Sequence, residues 1–389
     1  MPENKRIYLD HHATTPVDPR VLEKMLPYFT EIFGNAASID HEFGYEAKQV
    51  VDIAREQIAK AINAQPEEII FTSGATESDN IALFGVAEKY AGKGKHIITS
   101  VTEHKAVLDC CKRLEQLGYQ VTYLPVDQYG LIDLNELQVA ITDQTILISI
   151  MAANNEIGTI APLAAIGAIA KSHKILFHTD AAQAVGHIPI DVQKMNIDIL
   201  SISGHKIYGP KGIGALYRRK SNPRANLAPV IYGGGHEKGL RSGTLNVPGI
   251  VGLGYAIELA VKGMVAESKR YKQLTTYFWD QLSGEIPGLQ LNGHPTERLS
   301  HNLNVSVPGV ESKALIVHLK EVAVSAGSAC TTTSVEPSHV IVSLGYGEER
   351  AHTAIRISVG RSTSIEDAIY AAQYLITAMK NIMQLSDNH

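Results

Sequence analysis

The sequence predicts an α/β fold in which helices cover both faces of a mainly parallel sheet. Short, continuous apolar runs recur along the chain and end in polar residues or glycine, which is typical of strands buried on both faces. Longer segments with helical periodicity lie between these runs, and such alternation is typical of a parallel sheet with crossover helices. The 389 residues are enough for two domains with a large core.

The predicted elements of the first half alternate in chain order. Apolar residues recur at helical spacing over residues 46–62, which predicts a helix. Residues 68–71 are expected to form a strand that leads into a turn, and the next helix is expected to begin near Glu77. Further buried strands are predicted at residues 97–98, 145–151, 175–177 and 197–202.

The second half predicts a change of organisation. A polar-rich helical stretch at residues 258–281 is expected to lead into a smaller domain, and residues 365–383 are expected to form an amphipathic helix. We therefore predict a large domain of residues 15–260. A small domain would consist of residues 1–14 and 261–389 and would carry a cysteine loop at about residues 325–336.

Composition limits the class of protein. The net charge of −5 argues against a nucleic-acid-binding surface, which would be strongly basic. The three cysteines, of which Cys110 and Cys111 are adjacent, do not form a disulfide framework and suit a reducing compartment. The N-terminus lacks a signal-peptide pattern, and no stretch resembles a membrane span. These observations lead us to expect a cytoplasmic enzyme without membrane or nucleic-acid partners.

Two polar residues follow neighbouring predicted strands. Asp180 follows the strand at 175–177 and Lys206 follows the strand at 197–202, so both should lie at the carboxyl edge of the sheet. An Asp for the pyridinium nitrogen and a Lys for the aldehyde are the protein groups that pyridoxal phosphate most needs. Each residue alone is compatible with an ordinary surface position, so the interpretation depends on the neighbouring His205 and Gln183.

Cys330 lies in a run of small and hydroxyl residues at 325–334, which is typical of an exposed loop. A thiol on such a loop can reach a partner and react, whereas most free cysteines are buried. The alternative is a loop that merely contains a cysteine.

The turn at Gly74, Ala75 and Thr76 is a candidate phosphate site. It joins a predicted strand to a predicted helix, so backbone N–H groups and the positive helix end would face an anion. An ordinary helix N-cap is the alternative. The chain has no P-loop motif, and the glycines at 209–214 lack the spacing of a dinucleotide fingerprint.

Many motifs occur together and in one order along almost the whole chain. They are YLD at 8–10, FGN at 33–35, FTSGATES at 71–78, TEH at 102–104, NNEIG at 154–158, HTDAAQ at 178–183, SGHKIYGPKG at 203–212, RSGT at 241–244, SAC at 328–330 and IRIS at 355–358. With these motifs the chain resembles the cysteine desulfurases of the class V aminotransferase family. The form of its cysteine loop resembles the long-loop IscS/NifS group.

The resemblance implies a fold and a reaction. The expected fold is the PLP-dependent transferase fold type I, with a mainly parallel seven-stranded sheet in the large domain and a smaller α+β domain. The expected cofactor is pyridoxal 5′-phosphate, and the expected substrate is L-cysteine. The products would be L-alanine and a persulfide on Cys330, which an iron–sulfur scaffold or another acceptor, such as a tRNA-thiolation protein, would receive. The expected assembly is a homodimer.

The resemblance also implies roles for individual residues. Catalytic roles would fall to Cys330, Lys206 and His104, with the His104 ring stacked on the cofactor. The cofactor would further contact Asp180, Gln183, Ala75, Thr76, Ser203, His205, Asn155 and, from the other subunit, Thr244. The substrate carboxylate would be held by Arg356, Asn155 and Asn35. A structural histidine at position 104 and a simple salt bridge at position 356 are the alternatives.

No metal site is predicted, because the adjacent His11 and His12 would point to opposite faces of an extended chain. The sequence departs from the family at Ala36, where many members have proline, and at this pair of histidines. Some relatives have a longer C-terminal tail that helps to dock a scaffold protein, so the short tail leaves the identity and affinity of the acceptor open.

Three alternative functions remain open. The first is another PLP enzyme, such as an aminotransferase or a selenocysteine lyase. The second is a non-catalytic sulfur carrier or scaffold. The third is a specialised supply of sulfur for DNA modification or nitrogenase.

Overall fold

The structure, a computed structural model, describes residues 6–221, 224–326 and 337–386. Strands β1–β12 are, in order, Ile7–Tyr8, Ile69–Thr72, His96–Ser100, Gln120–Leu124, Thr145–Ser149, Leu176–Asp180, Ile199–Ser203, Gly214–Arg218, Gln290–Leu291, Asn302–Ser306, Val322–Ala323 and Ala354–Ser358. Helices α1–α12 are Pro19–Met25, Pro27–Thr30, Glu42–Ala61, Ala75–Tyr90, Lys105–Gln116, Leu134–Ala140, Leu163–Ser172, Val247–Glu285, Ser312–His318, His339–Ile341, Glu348–His352 and Ile365–Ser386.

The larger sheet has seven strands in the order β2-β8-β7-β6-β5-β3-β4. Only β8 runs against its neighbours, so the predicted mainly parallel seven-stranded sheet is confirmed. Alternate strand residues face opposite layers of helices. Phe177 packs in a core with helices α3, α7 and α8, whereas its neighbour Leu176 packs in a core with α4 and α5. Burial on both faces explains the continuous apolar runs in the sequence.

A smaller layer follows the large sheet. Strands β9, β10 and β12 form an antiparallel sheet, and β1 pairs with β11. Their apolar residues pack with the second half of α8 and with α12, in a core that is separate from the two around the large sheet. Because α8 contributes to cores on both sides, we propose that the chain divides into two domains near residue 260, with the N-terminal strand in the smaller one.

Helix α8 begins at Val247, eleven residues before the predicted start at residue 258. The Asn246 side chain accepts a hydrogen bond from the N–H of Gly249 and caps the helix, and Pro248 fits its first turn. Gly254 lies on this early part, where a Cβ atom would come within 2.8 Å of the Cα of Ala54 in α3. Gly254 therefore allows close packing of α8 against α3 and does not mark a loop.

Helix α8 is also long and apolar enough to cross a membrane by length and composition alone. This result differs from the expectation that no stretch would reach that length. The apolar residues of its first half, among them Ile250, Leu253 and Ile257, are buried against α3 and the large sheet. Their hydrophobicity is accounted for by this core.

Candidate active site

A cavity of about 470 Å³ opens at the carboxyl edge of the large sheet, where β6 and β7 end side by side. Its wall contains ten of the residues that the sequence predicted for the site. They are Ala75, Thr76, His104, Asn155, Asp180, Gln183, Ser203, His205, Lys206 and Arg356. These residues come from six separate segments of the chain, and the fold brings them together around one space.

Asp180 is the last residue of β6 and is almost completely buried. Burial raises the pKa of its carboxyl to about 6, and the nearby carboxylate of Asp79 adds to this effect. The backbone N–H of Ala182 donates to Asp180 at 2.9 Å. This hydrogen bond and the nearby His104 lower the pKa of Asp180 and so partly offset the effect of burial. Asp180 is thus a carboxylate that is more basic than an ordinary Asp, and a cationic N–H group would stabilise its charged form.

Lys206 lies in the short helical turn that follows β7. Its Nζ atom donates to the carbonyl oxygens of His12 at 2.5 Å and Ala13 at 2.9 Å. The segment at 12–13 is held in turn by Gln183, whose Nε2 donates to the same His12 oxygen at 3.0 Å. The N-terminal segment therefore fixes the position of the lysine amine at the cavity wall.

Two histidines of the cavity have defined partners. His104 caps helix α5, and its Nδ1 atom accepts from the N–H of Ala106 at 3.1 Å. The Nδ1 atom of His205 lies 3.0 Å from the hydroxyl of Thr14. Burial lowers the pKa of His205 to about 4, so this ring is neutral at neutral pH and can receive the Thr14 proton at Nδ1. Its Nε2–H then remains as a donor.

The start of helix α4 forms another part of the wall. The helix begins at Ala75, two residues before the predicted start, and no side chain caps it at Gly74. A Cβ atom at Gly74 would meet no atom within 4 Å, so the first backbone N–H groups border open space. On the other side Gly74 is in close contact with Gly214 of β8, where a Cβ atom would lie 2.6 Å from the Gly74 Cα. This pair of glycines sets the helix end against the sheet and leaves its positive end accessible.

Arg356 lies at the centre of β12 and is among the most buried large side chains. Its guanidinium donates to the carbonyl oxygen of Asn155 at 2.7 Å and to Asp10 at 2.8 Å. A buried cation of this kind, held on one side and bordering a cavity on the other, is suited to bind a carboxylate.

Among the described residues, two of those predicted for the site do not line the cavity. Asn35 and Thr244 are exposed elsewhere on this chain, and their roles stay predictions. Cys330 lies outside the described residues. The segment that precedes it does reach the site, because Ser325 exchanges two backbone hydrogen bonds with Arg356, of 3.2 and 2.7 Å.

The cavity also contains residues that the sequence reasoning missed. Asp79 could have been found, because it lies one helical turn beyond Ala75 and shares its face of α4. The N-terminal residues of the wall carried no such signal, since their contacts are with segments almost 200 positions away. The missed residues are His12, Ala13, Thr14, Ser73, Glu77, Asp79, Met151, Ala153, Ala182, Lys211 and Gly212. In the part of the chain that the structure describes, no three His, Cys, Asp or Glu side chains are placed to share a metal ion.

The donors of this cavity fit pyridoxal phosphate. Asp180 offers a buried basic carboxylate for a pyridinium N–H, Lys206 offers an amine for the aldehyde, and the open end of α4 offers N–H groups for the phosphate. The volume is within the range of small-molecule sites and leaves room for an amino acid beside the cofactor.

The comparisons with known proteins agree with this chemistry. The sequence model of the family described as "Aminotransferase class-V" matches residues 7–369. The chain belongs to the class V aminotransferase family.

Comparison with individual relatives shows to which group within this family the chain belongs. Over 380 residues the chain is 53% identical to the cysteine desulfurase IscS of Rickettsia africae, which covers 98% of this chain and 92% of that protein. A solved NifS-like protein superimposes with a TM-score of 0.89 at 38% identity, over 96% of this chain and 99% of the other. A structure described as SspA in complex with cysteine gives a TM-score of 0.81 at 41% identity, over 91% and 98%. Within its family the chain is therefore a member of the IscS/NifS cysteine desulfurases, and its fold is the PLP-dependent transferase fold type I.

Proposed function

We propose that the protein is a PLP-dependent cysteine desulfurase that converts L-cysteine into L-alanine and a protein-bound persulfide. The observation that carries this proposal is the single cavity that unites Lys206, Asp180, His104 and Arg356. An amine, a basic carboxylate, an imidazole and a carboxylate-binding cation are the groups that a PLP enzyme acting on an α-amino acid needs. The family membership of the chain supports the same reaction.

The residues that would hold the cofactor follow from their positions. Asp180 would accept a hydrogen bond from the ring nitrogen, and Gln183 would lie beside the ring hydroxyl. When bound, the cofactor supplies an electron sink for the Cα–H bond of the substrate. The phosphate would meet the backbone N–H groups at the N-terminal end of α4, which includes Ala75 and Thr76. Ser203 and His205 would add further contacts.

The substrate would be oriented by its carboxylate. The Arg356 guanidinium is planar and can donate two parallel hydrogen bonds to a carboxylate. Asn155, whose backbone oxygen already holds Arg356, would add its side-chain amide. Lys206 would then move the proton at Cα, and His104 would return a proton to the departing product.

Sulfur transfer is assigned to Cys330. Its thiolate would attack the substrate sulfur, so that the S–S bond forms as the C–S bond breaks and the electron pair passes to the alanine fragment. The persulfide would be delivered to an iron–sulfur scaffold or another acceptor protein. Two facts support this assignment: the motif at 328–330 and the anchoring of Ser325 on Arg356 at the cavity.

Two substitutions test these assignments. C330S is expected to bind the cofactor like the wild type and to lose at least about 100-fold in sulfide release, because the nucleophile is removed. K206A is expected to lose alanine formation as well. The matched control is C111S, because Cys111 is buried and its pKa is raised by burial, which keeps it an unreactive thiol. Full sulfide production by C330S would disprove the assignment of Cys330.

A homodimer is part of the proposal. Thr244 is exposed and does not line the cavity of its own chain, so it is free to complete the phosphate site of a second copy. The segment that carries Asn35 exposes several large apolar side chains, which a second copy would cover. They are Phe29, Phe33, Phe43 and Tyr45, each more than half exposed.

We propose a reducing, cytoplasmic location and iron–sulfur assembly or thiolation as the destination of the sulfur. Cys110 and Cys111 are adjacent, buried and free, which suits such a compartment. The cavity is equally suited to selenocysteine, and a selenocysteine lyase is the second candidate. Release of alanine from selenocysteine but not from cysteine would favour the lyase.

A further inference from the structure

Asp79 is a buried carboxylate for which the proposed reaction has no role. It is fully buried in α4 and lines the cavity, yet neither of its carboxylate oxygens has a hydrogen-bond partner among the described residues. A buried carboxylate without a hydrogen bond destabilises the folded protein. Such a group is expected where its charge is useful to the site.

The surroundings of Asp79 connect it to Asp180. The Nε2 atom of His178 lies 3.5 Å from the Asp79 Oδ1 atom. His178 and Asp180 are two positions apart on β6, so both side chains point toward the α4 face of the sheet. The His178 ring is fixed from both sides, by the Ser149 hydroxyl at 2.8 Å and by the Ser201 hydroxyl at 3.1 Å.

The other titratable groups around Asp79 do not cancel its charge. Burial raises the pKa of the Glu103 carboxyl well above its usual range, which favours its neutral form. Burial also raises the pKa of Cys110 on α5 to about 12, which keeps the thiol protonated. His104 faces Asp180 from the start of α5. Asp79 and His178 are thus the polar pair directly behind Asp180.

We propose that Asp79 is a positioning residue whose negative charge, beside His178, strengthens the hold of Asp180 on the protonated ring nitrogen of the cofactor. The physical reason is that a second anion in a dry site stabilises a nearby positive charge and a nearby proton. The cofactor would relieve the cost of burying two carboxylates together. This inference rests on the proposed cofactor site and adds to it a determinant of the protonation state of the ring.

The test uses the holoenzyme with pyridoxal phosphate labelled with ¹⁵N in the ring. The ¹⁵N chemical shift is followed against pH in the wild type and in D79N, which keeps the shape and removes the charge. The midpoint of ring deprotonation is expected to fall by on the order of one pH unit in D79N. If ring deprotonation occurs within the measurable pH range in D79N but not in the wild type, its midpoint has also fallen, and the inference is supported. The control is D109N, which removes an exposed charge from α5 and is expected to leave the midpoint unchanged.

A second readout is the thermal unfolding of the cofactor-free protein. D79N is expected to unfold at a higher temperature than the wild type, because a buried carboxylate without a hydrogen bond has been removed. An unchanged ¹⁵N midpoint in D79N would overturn the inference. D79S serves as a second variant, and failure of both to fold would assign Asp79 to the architecture and equally overturn it. A wild-type protein that does not bind the cofactor would instead overturn the proposed function.

Discussion

At the scale of the residue, burial decides the chemistry of the site. Asp180, His205 and Glu103 all have pKa values moved toward the neutral form of the side chain, and in each case burial is the largest cause. The two carboxyls differ in the neighbouring groups that stabilise their charged forms. Asp180 has a backbone N–H and nearby histidines that favour its charged form, whereas Glu103 has a single donor, the N–H of Met151 at 2.8 Å. Glu103 therefore has fewer groups that favour its charged form than Asp180 has.

The state of Glu103 leads to a prediction about stability. Its pKa is raised in the folded protein, so the folded state keeps a proton that the unfolded chain loses above about pH 4.3. The free energy of unfolding should therefore fall as pH rises from that point toward the folded pKa, by up to about 1.4 kcal/mol per pH unit from this group. E103Q removes the titration and is expected to flatten this slope in urea unfolding of the cofactor-free protein. E136Q, at an exposed position, should behave like the wild type, and an equal slope in E103Q would contradict the prediction.

Arg356 gives a second prediction at this scale. R356K keeps the charge but loses the planar fork, so substrate binding is expected to weaken by about 1.5–3 kcal/mol, or roughly 10- to 150-fold in KM. Steady-state kinetics with L-cysteine measure this change. R113K, at a surface position of α5, is the control. An unchanged KM for R356K would place the substrate carboxylate elsewhere.

At the scale of the element, the position of the N-terminal end of α4 depends on its close contact with β8. A Cβ atom at Gly214 would lie 2.4 Å from the carbonyl oxygen of Ile202 and 2.6 Å from the Gly74 Cα. G214A is therefore expected to displace the helix end and to raise the Kd of the cofactor by roughly tenfold or more, in line with the cost of overpacking. Fluorescence titration of the cofactor-free protein measures this Kd. The matched control is G92A, where a Cβ atom meets nothing within 4 Å. Equal affinity in G214A and the wild type would show that this contact does not position the phosphate site.

The elements also show what the sequence could predict. Strands β6 and β7 and the polar residues at their ends were predictable, because buried parallel strands are continuous apolar runs with function at their carboxyl ends. The start of α8 was missed, because glycines weaken a helix prediction and the contact of Gly254 with α3 is visible only in the structure. The position of His12 at the site and the role of Glu103 could not be predicted from the sequence, because both depend on contacts between segments far apart in the chain.

At the scale of the whole molecule, the proposed dimer makes the apolar segment around Asn35 a central feature. Phe33 and Phe43 are 64% and 54% exposed, and their rings lie 5.8 Å apart. The double variant F33D/F43D is expected to halve the mass measured by light scattering, because charges in the core of an interface are costly. V139D introduces a charge at another exposed apolar site and should leave the mass unchanged. A dimer that persists in F33D/F43D would place the interface elsewhere.

The proposed roles of the site residues all belong to one reaction at one cavity. The most direct measurement is to add L-cysteine and a reductant to the purified protein and to quantify alanine and sulfide in the same sample, with absorbance recorded before and after. A yellow protein that yields alanine and sulfide in equal amounts is the predicted result. A yellow protein that forms no alanine from cysteine, even with an acceptor protein present, would contradict the assignment as a cysteine desulfurase.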